Sequence, residues 1–317
     1  MATYLRRRLL QLVPLMLGIS IVIFGVIQAA PGGPEGALLA AGRFVDPQVV
    51  DAYRARLGVD QPLPVQYFRW LGATLTGDLG QSFSTTRPVF EMIVERLPAT
   101  IELMGASFLF AAVIGLLIGG IGGLRPGSGP DRITSGLSFL GLAMPIFWFG
   151  LILQMIFAVK LNWLPVAGTQ TIGASSVGDH LAHLVLPALV LSLRNVAAWS
   201  RYFRSSLLTA GEADHVRTAQ AKGLPALAVT ATHVVRNALI PVASIMAVNL
   251  AELFAGAVVT ETIFAWPGIG RLFVQAMFAR DYPLLMGILL MGSFAVVVMN
   301  LLADLLYGAL DPRIRYR

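Results

Sequence analysis

Six apolar segments recur along the 317 residues, at 9–30, 98–123, 133–159, 184–203, 237–260 and 284–308. Each is close to the roughly 20 residues that carry an α-helix across a bilayer core. Hydrocarbon offers no water to backbone amides and carbonyls, so a segment of this kind must satisfy them internally as a helix. Composition agrees: 56% of the residues are hydrophobic, 13% are charged and mean hydropathy is +0.74, too apolar for an ordinary soluble domain. The expected fold class is therefore an all-α integral membrane protein of about six transmembrane helices. An even number of spans puts both termini on one side.

Arginine placement orients these spans. Arg6, Arg7 and Arg8 precede the first span, Arg125 and Arg132 flank the short 2–3 loop, and Arg201, Arg204, Arg217, Lys222 and Arg236 fill the 4–5 loop. Arg313, Arg315 and Arg317 close the sequence. All fall on one side, which the positive-inside bias makes cytoplasmic. The segment 31–97 also holds Arg43, Arg54, Arg56, Arg69, Arg87 and Arg96, but it carries acids too, and long loops weigh little in topology. It is placed outside. The net charge of +6 then reflects topology and attraction to a lipid bilayer's anionic headgroups, not nucleic-acid binding.

The first span imitates a signal peptide, with three arginines, an apolar run and Gln28-Ala29-Ala30. A run of about 20 residues exceeds the 7–15 of a signal core, so this helix is expected to be retained. With zero cysteines, disulfides, thiolate metal sites and cysteine nucleophiles are excluded. The extracytoplasmic insertion 31–97 reads as three short helices. Asp46-Pro47 opens the first, which runs through Leu57 to a stop at Gly58; the second covers 65–75; the third covers 86–97, with Pro88 in its first turn, and leads into the second span.

Between the fourth and fifth spans, in the loop 204–236, lies the polar stretch EADHVRTAQAKGL at 212–224. Thr209 and Glu212 form a capping box, Glu212 and Asp214 open the helix, and Arg217 and Lys222 close it. Gly223 supplies a left-handed stop and Pro225 blocks continuation. Ala213, Val216 and Ala219 make a narrow small-residue face suited to docking into a cleft. These signals fit either a solvated connector or a docking element.

No enzyme constellation is present. The chain lacks the G-x-x-x-x-G-K-[ST] phosphate loop and the G-x-S-x-G elbow. His180 and His183 stand one helical turn apart beside Asp179, without a convincing third metal ligand; His215 and His233 read as loop surface or partner contacts. The spans themselves suit helices that pack closely and move. Gly115, Gly119 and Gly123 repeat at four-residue spacing, letting backbones approach, and Pro145 and Pro187 interrupt the third and fourth spans. Arg194, Glu252 and Asp304 lie at membrane depth, where a charge costs about 2.5–3.5 kcal/mol at the bilayer centre. Arg194 and Glu252 are the candidates for a translocation path, although Arg194 can also snorkel to the inner surface and Asp304 can cap the last helix. The segment 261–272 holds Phe264, Trp266, Pro267, Gly268 and Gly270 and suits a turn that dips back to shape an outer gate, or an interfacial anchor built on Trp266.

Seven blocks, taken in order, carry a resemblance: GDLGQS at 77–82, ERLPATIEL at 95–103, AMPIFWFGL at 143–151, NWLPVAG at 162–168, RTAQAKGL with HVVRNALIP at 217–224 and 233–241, ETIFAWPGIGRL at 261–272, and LDPRIRYR at 310–317. Together they resemble, end to end, the membrane permease subunits of bacterial peptide-type ABC importers of the dipeptide and oligopeptide branch, and the first of the two permeases in particular. The resemblance implies the type I ABC importer permease fold and a single permease domain over 1–317 in the bacterial inner membrane. It implies as partners a second homologous permease, two ABC ATPase subunits and an extracytoplasmic substrate-binding protein, with a peptide as substrate. This chain itself would hold no cofactor, since ATP and Mg would be bound by the ATPases.

In that family the EAA loop docks into a groove on the ATPase. The resemblance assigns coupling to Glu212, Ala213, Asp214, His215, Val216, Arg217, Ala219, Lys222, Gly223, Arg236 and Asn237. Gly223 matches the loop's signature glycine, Arg217 stands where the general motif has glutamate, and His215 replaces a more common tyrosine. Relatives with similar permeases carry nickel chelates, glutathione or some sugars. A secondary transporter should show inverted repeats with paired broken helices, and no such internal symmetry is visible.

Overall fold

The computed structural model describes the backbone of residues 2–29, 61–173 and 176–310, and the side chains of 8, 10–29, 61–173, 176–249 and 257–305. The regular elements among the described residues are helices, and an isolated antiparallel bridge joins Gln81 to Pro88. In chain order the helices are α1 (Ala2–Gln28), α2 (Leu63–Leu75), α3 (Val89–Leu124), α4 (Gly129–Ala143), α5 (Ile146–Leu153) and α6 (Val177–Gly211). They continue as α7 (Asp214–Ala221), α8 (Ala226–Val229), α9 (Arg236–Ile263), α10 (Ile269–Phe278) and α11 (Tyr282–Leu310). Two π-helical stretches, Gln154–Lys160 and Thr230–Val235, extend α5 and join α8 to α9.

Among the described residues, five helical segments are long and apolar enough to cross a membrane, six if the bent α4 and α5 pair counts as one span. The interruption expected at Pro145 in the third span, 133–159, is present: that pair is bent by 111°. Pro145 brings no N–H, and its ring drives the preceding residue out of the helical region, leaving Met144 extended at φ −80° and ψ 126°. Pro187 behaves differently, lying buried inside an uninterrupted α6. The fourth span therefore does not break where expected.

In the insertion, α2 fills the region predicted for its second helix, while the helix at 46–58 lies outside the described residues. The third predicted helix begins later than expected, at Val89, with Pro88 before it, and continues past Pro98 as the 36-residue α3.

The contacts divide the chain into two compact units. The unit of Met1–Thr100 and Pro267–Val298 has a core built on Val89, Ile93, Ile269, Leu272, Leu284 and Ile288. Asp281, fully buried, organises it. Its carboxylate accepts hydrogen bonds from Ser82 Oγ (2.5 Å), Ser84 Oγ (2.8 Å) and Phe83 N–H (3.0 Å), just ahead of α11. GDLGQS thus leads into a loop fastened to the start of the last helix. Elsewhere in this unit, α1 meets α2 through Phe24 and Tyr67, with ring centroids 5.5 Å apart, and through Ser20 Oγ at 2.9 Å from the Tyr67 hydroxyl.

The unit of Ile101–Trp266 and Met299–Arg317 is centred on α6, which packs against α4, α5 and α9. The repeated glycines of α3 meet α6 face to face. A methyl on Gly115 would lie 3.3 Å from the Val196 carbonyl oxygen, one on Gly119 2.5 Å from that of Ser200, and one on Gly123 2.7 Å from Leu207 Cδ1. Only hydrogen fits at Gly119, so the small-residue spacing brings two backbones together as predicted. Trp199 is fully buried in this unit, 5.3 Å from the Phe108 ring, and donates from Nε1 to Asn249 Oδ1 at 3.1 Å.

Candidate coupling loop and membrane path

The loop begins where α6 ends. Thr209 remains inside α6, its hydroxyl donating to the Ser205 carbonyl at 3.1 Å, and Glu212 is the C-cap of that helix. The capping box expected from Thr209 and Glu212 is therefore not formed, because α6 runs on through it. Instead Ala213 turns extended, at φ −69° and ψ 146°, and α7 starts at Asp214, whose carboxylate sits at the positive end of the helix. The helix stops as the sequence indicates. Gly223 adopts φ +77° and its N–H donates to the Gln220 carbonyl at 2.9 Å. Pro225 then opens the next short helix, α8.

The apolar face of α7 points into the chain. Val216 and Ala219 are 2% and 5% exposed and pack with Phe203 and Leu207 of α6, Val229 and Val234 of the following turns, and Ala238 and Val242 of α9. As residues that would enter a partner's cleft these two are corrected: the nearest apolar surface is the chain's own. They seat the helix on α6 and α9. Ala213 is half-buried, while Glu212, Asp214, His215, Arg217 and Lys222 are exposed. Arg217 lies 3.9 Å from Asp214 on that face. Gly223 and Arg236 are exposed as well.

Two apolar residues stand out in the open beside this polar face, Leu224 at 45% and Leu227 at 82% exposure. Sequence reasoning missed them, although Leu224 ends the RTAQAKGL block and Leu227 follows at i+3. His215 and Asn237 do not stand free. Asn237 Nδ2 donates to the His233 carbonyl at 2.7 Å and lies 3.2 Å from His215 Nε2, which is itself 3.3 Å from that carbonyl. Together they tie α7 to the start of α9, as Ser206 Oγ ties α6 to the Ala238 carbonyl at 2.9 Å.

Upstream, the loop is braced by a pair that sequence reasoning did not single out. Arg204 reaches back to Asp131, the first-turn acid of α4, with Nε to Oδ1 at 2.6 Å and Nη2 to Oδ2 at 2.9 Å. The Gly127 N–H donates to the same carboxylate at 2.9 Å. This planar, two-pronged geometry fits guanidinium and not ammonium.

The path candidates are more dispersed. Arg194 is exposed on α6; Glu252 belongs to α9 by its backbone, its side chain lying outside the described residues. Asp304 is half-buried on α11. Phe264 and Trp266 are 1% and 0% exposed: Trp266 is a core side chain and not an interfacial anchor. Around them, Ala265 takes φ +49°, the Gly168 N–H donates to the Phe264 carbonyl at 2.8 Å, and the Trp266 N–H donates to the Glu261 carbonyl at 2.9 Å. Pro267, Gly268 and Gly270 fall in the other unit. There Gly268 caps α10, Gly270 is buried, and the Ile269 N–H donates to Thr100 Oγ1 at 2.8 Å.

His180 and His183 turn to separate partners. His180 Nε2 lies 2.6 Å from Glu102 Oε1 and its Nδ1 lies 3.0 Å from the Thr169 carbonyl oxygen, whereas His183 Nδ1 meets the Asp179 carbonyl at 2.8 Å.

Comparison with known proteins gives this geometry a setting. Residues 111–316 match the family described as the binding-protein-dependent transport system inner membrane component, and residues 1–104 match its N-terminal membrane component. The oligopeptide transport system permease protein AppB of Bacillus subtilis (strain 168) is 42% identical over 322 residues, covering 100% of both chains. The di/tripeptide transport system permease protein DppB of Pseudomonas aeruginosa (strain UCBPP-PA14) is 40% identical over 336 residues, again covering 100% of both. An inward-facing structure of the MetNI methionine ABC transporter superposes with a TM-score of 0.56 at 16% identity, over 69% of this chain and 96% of that one. That last likeness speaks for the fold, which is the type I fold of ABC importer permeases. On the extent of these matches, the chain belongs to the family of inner-membrane components of binding-protein-dependent transport systems.

Proposed function

We propose that the chain is one of two permeases of an ATP-driven peptide importer, forming half of the passage and receiving motion from ATPase subunits through α7. The observation that carries the substrate class is end-to-end similarity to permeases named for oligopeptides and di/tripeptides. The observation that supports coupling is the form of the loop. A polar outer face, with Leu224 and Leu227 beside it, is offered to a partner, while Val216 and Ala219 root the same helix in α6 and α9.

In this reading both termini and the 204–236 loop are cytoplasmic, and the 31–97 insertion is extracytoplasmic. A substrate-binding protein delivers peptide to the outer face, a second permease completes the passage, and two ATPases hold ATP and Mg beneath it. When they close, α7 moves with them, and its core contacts pass the displacement to α6 and α9. The chain carries no catalytic residue of its own in this scheme. Arg194 and Glu252 are assigned to the translocation path, and Phe264, Trp266, Pro267, Gly268 and Gly270 to the path or its gate.

Purification in mild detergent followed by identification of partners tests the assembly, and stimulation of ATP hydrolysis by short peptides and binding protein in the reconstituted complex tests the substrate. The expected result is a four-subunit membrane complex with peptide-stimulated hydrolysis. Isolation of the chain with no ATPase, or transport driven by an ion gradient without ATP, would overturn the reading.

A further inference from the structure

The groove between α4 and α6 holds an arginine, Arg201, that neither the coupling loop nor the path employs. The helices run antiparallel, as pairing passes from Asp131 with Arg204, through Ser138 with Ser200 at 2.8 Å, to Gly141 against Ala197. Alongside this seam opens a cleft of about 630 Å³. Its lining is graded along the helix axes. Arg201, Arg204 and Ser205 of α6 and Ser135 of α4 gather toward the end nearer the loops, while Phe139 and Leu142 of α4 continue the wall away from it. From Ser135 to Leu142 the grading extends over roughly 10 Å at 1.5 Å per residue.

The charges do not cancel. Asp131 takes Nε and Nη2 of Arg204, leaving that guanidinium's other amino group, and Arg201 stacks on Phe139 with its central carbon 4.3 Å from the ring centroid. Stacking holds the face of Arg201 and leaves its in-plane N–H donors open to an anion. Two arginines and one aspartate give the cleft one net positive charge. A single negative charge with two or more acceptor oxygens, joined to an apolar tail, fits both halves at once.

We propose that this cleft binds an anionic phospholipid, its phosphodiester on Arg201 with the hydroxyl of Ser205, and the first part of an acyl chain along Phe139 and Leu142. Basic pockets between transmembrane helices take lipid headgroups in this way. A soluble phosphate would use the cationic half and leave the apolar half without purpose.

The test uses the full chain, washed of lipid in detergent and titrated with phosphatidylglycerol or phosphatidylcholine of matched chains, with bound lipid counted by native mass spectrometry. Selective retention of phosphatidylglycerol is expected. Arg201→Ala should weaken it about fivefold, the scale of one basic residue at an anionic surface, Arg201→Lys should weaken it less, and Leu142→Asp should weaken it through the apolar half. Arg204 is left intact because its loss would strand Asp131, and unchanged thermal unfolding of Arg201→Ala in phosphatidylcholine controls for folding. Equal retention by Arg201→Ala and the parent would overturn the proposal. Displacement of the lipid by inorganic phosphate would overturn it in favour of a soluble anion site, and displacement by a short peptide in favour of a contact for cargo.

Discussion

Asp131 and Arg204 are joined by two parallel hydrogen bonds of 2.6 and 2.9 Å across 73 positions of sequence. The pair fastens the start of α4 to the last turns of α6, ahead of α7. In the proposed coupling, movement of α7 acts on an α6 that is braced against α4. Arg204→Lys keeps the charge and loses the fork, and should lower both the thermal unfolding midpoint and uptake, while the reversed pair Asp131→Arg with Arg204→Asp should recover part of each. Thermal unfolding of the two single variants and the double variant measures this. Strictly additive effects would show that the pair contributes nothing as a pair.

Gly119 is the tightest point between α3 and α6. A methyl there would stand 2.5 Å from a backbone oxygen, which cannot swing aside as a side chain could. Gly119→Ala should cost about 1–3 kcal/mol. Gly105, on the same helix with nothing within 4 Å of the corresponding position, should accept alanine with no loss. Unfolding in detergent compares the two, and equal behaviour would mean that the helices are not in close contact at this seam.

Gly223 holds φ +77° at the end of α7. Alanine there costs about 1–2 kcal/mol of local strain, asparagine tolerates the conformation better, and proline cannot adopt it. Uptake should fall in the order glycine, asparagine, alanine, proline while membrane insertion stays constant. Uptake assays beside immunoblots of membrane fractions check both halves of this expectation.

The Asp281 carboxylate accepts hydrogen bonds from Ser82, Phe83 and Ser84 together. Asp281→Ala strands buried donors and should cost about 3 kcal/mol, with Asp281→Asn intermediate. Limited proteolysis of the 77–88 loop should quicken in the same order. A loop equally resistant in all three proteins would remove Asp281 as its fastening.

The features legible in the sequence are those written locally. Spans follow from runs of apolar residues, the α3 seam from glycines at every fourth position, and the end of α7 from one glycine before a proline. The direction of a face was less legible. Val216 and Ala219 mark an apolar stripe, yet a stripe does not say whether its cover is the chain itself or a partner, and here α6 and α9 cover it. Thr209 and Glu212 have capping-box spacing, but the preceding helix continues through them. Two prolines in similar apolar runs have opposite outcomes: Pro145 sits at a sharp turn, while Pro187 lies within a continuous packed helix. Asp131 with Arg204, and Asp281 with Ser82, join residues 73 and 199 positions apart, and no local pattern announces such pairs.

The central claim is that the outer face of α7 meets an ATPase subunit. A photo-crosslinking amino acid placed at Arg217, which is exposed, or at Val216, which is buried, tests it most directly in membranes containing the assembled complex. The account predicts crosslinks from position 217 to the ATPase and from position 216 within the chain itself. Capture of the ATPase from elsewhere on the permease, with position 217 silent, would contradict it.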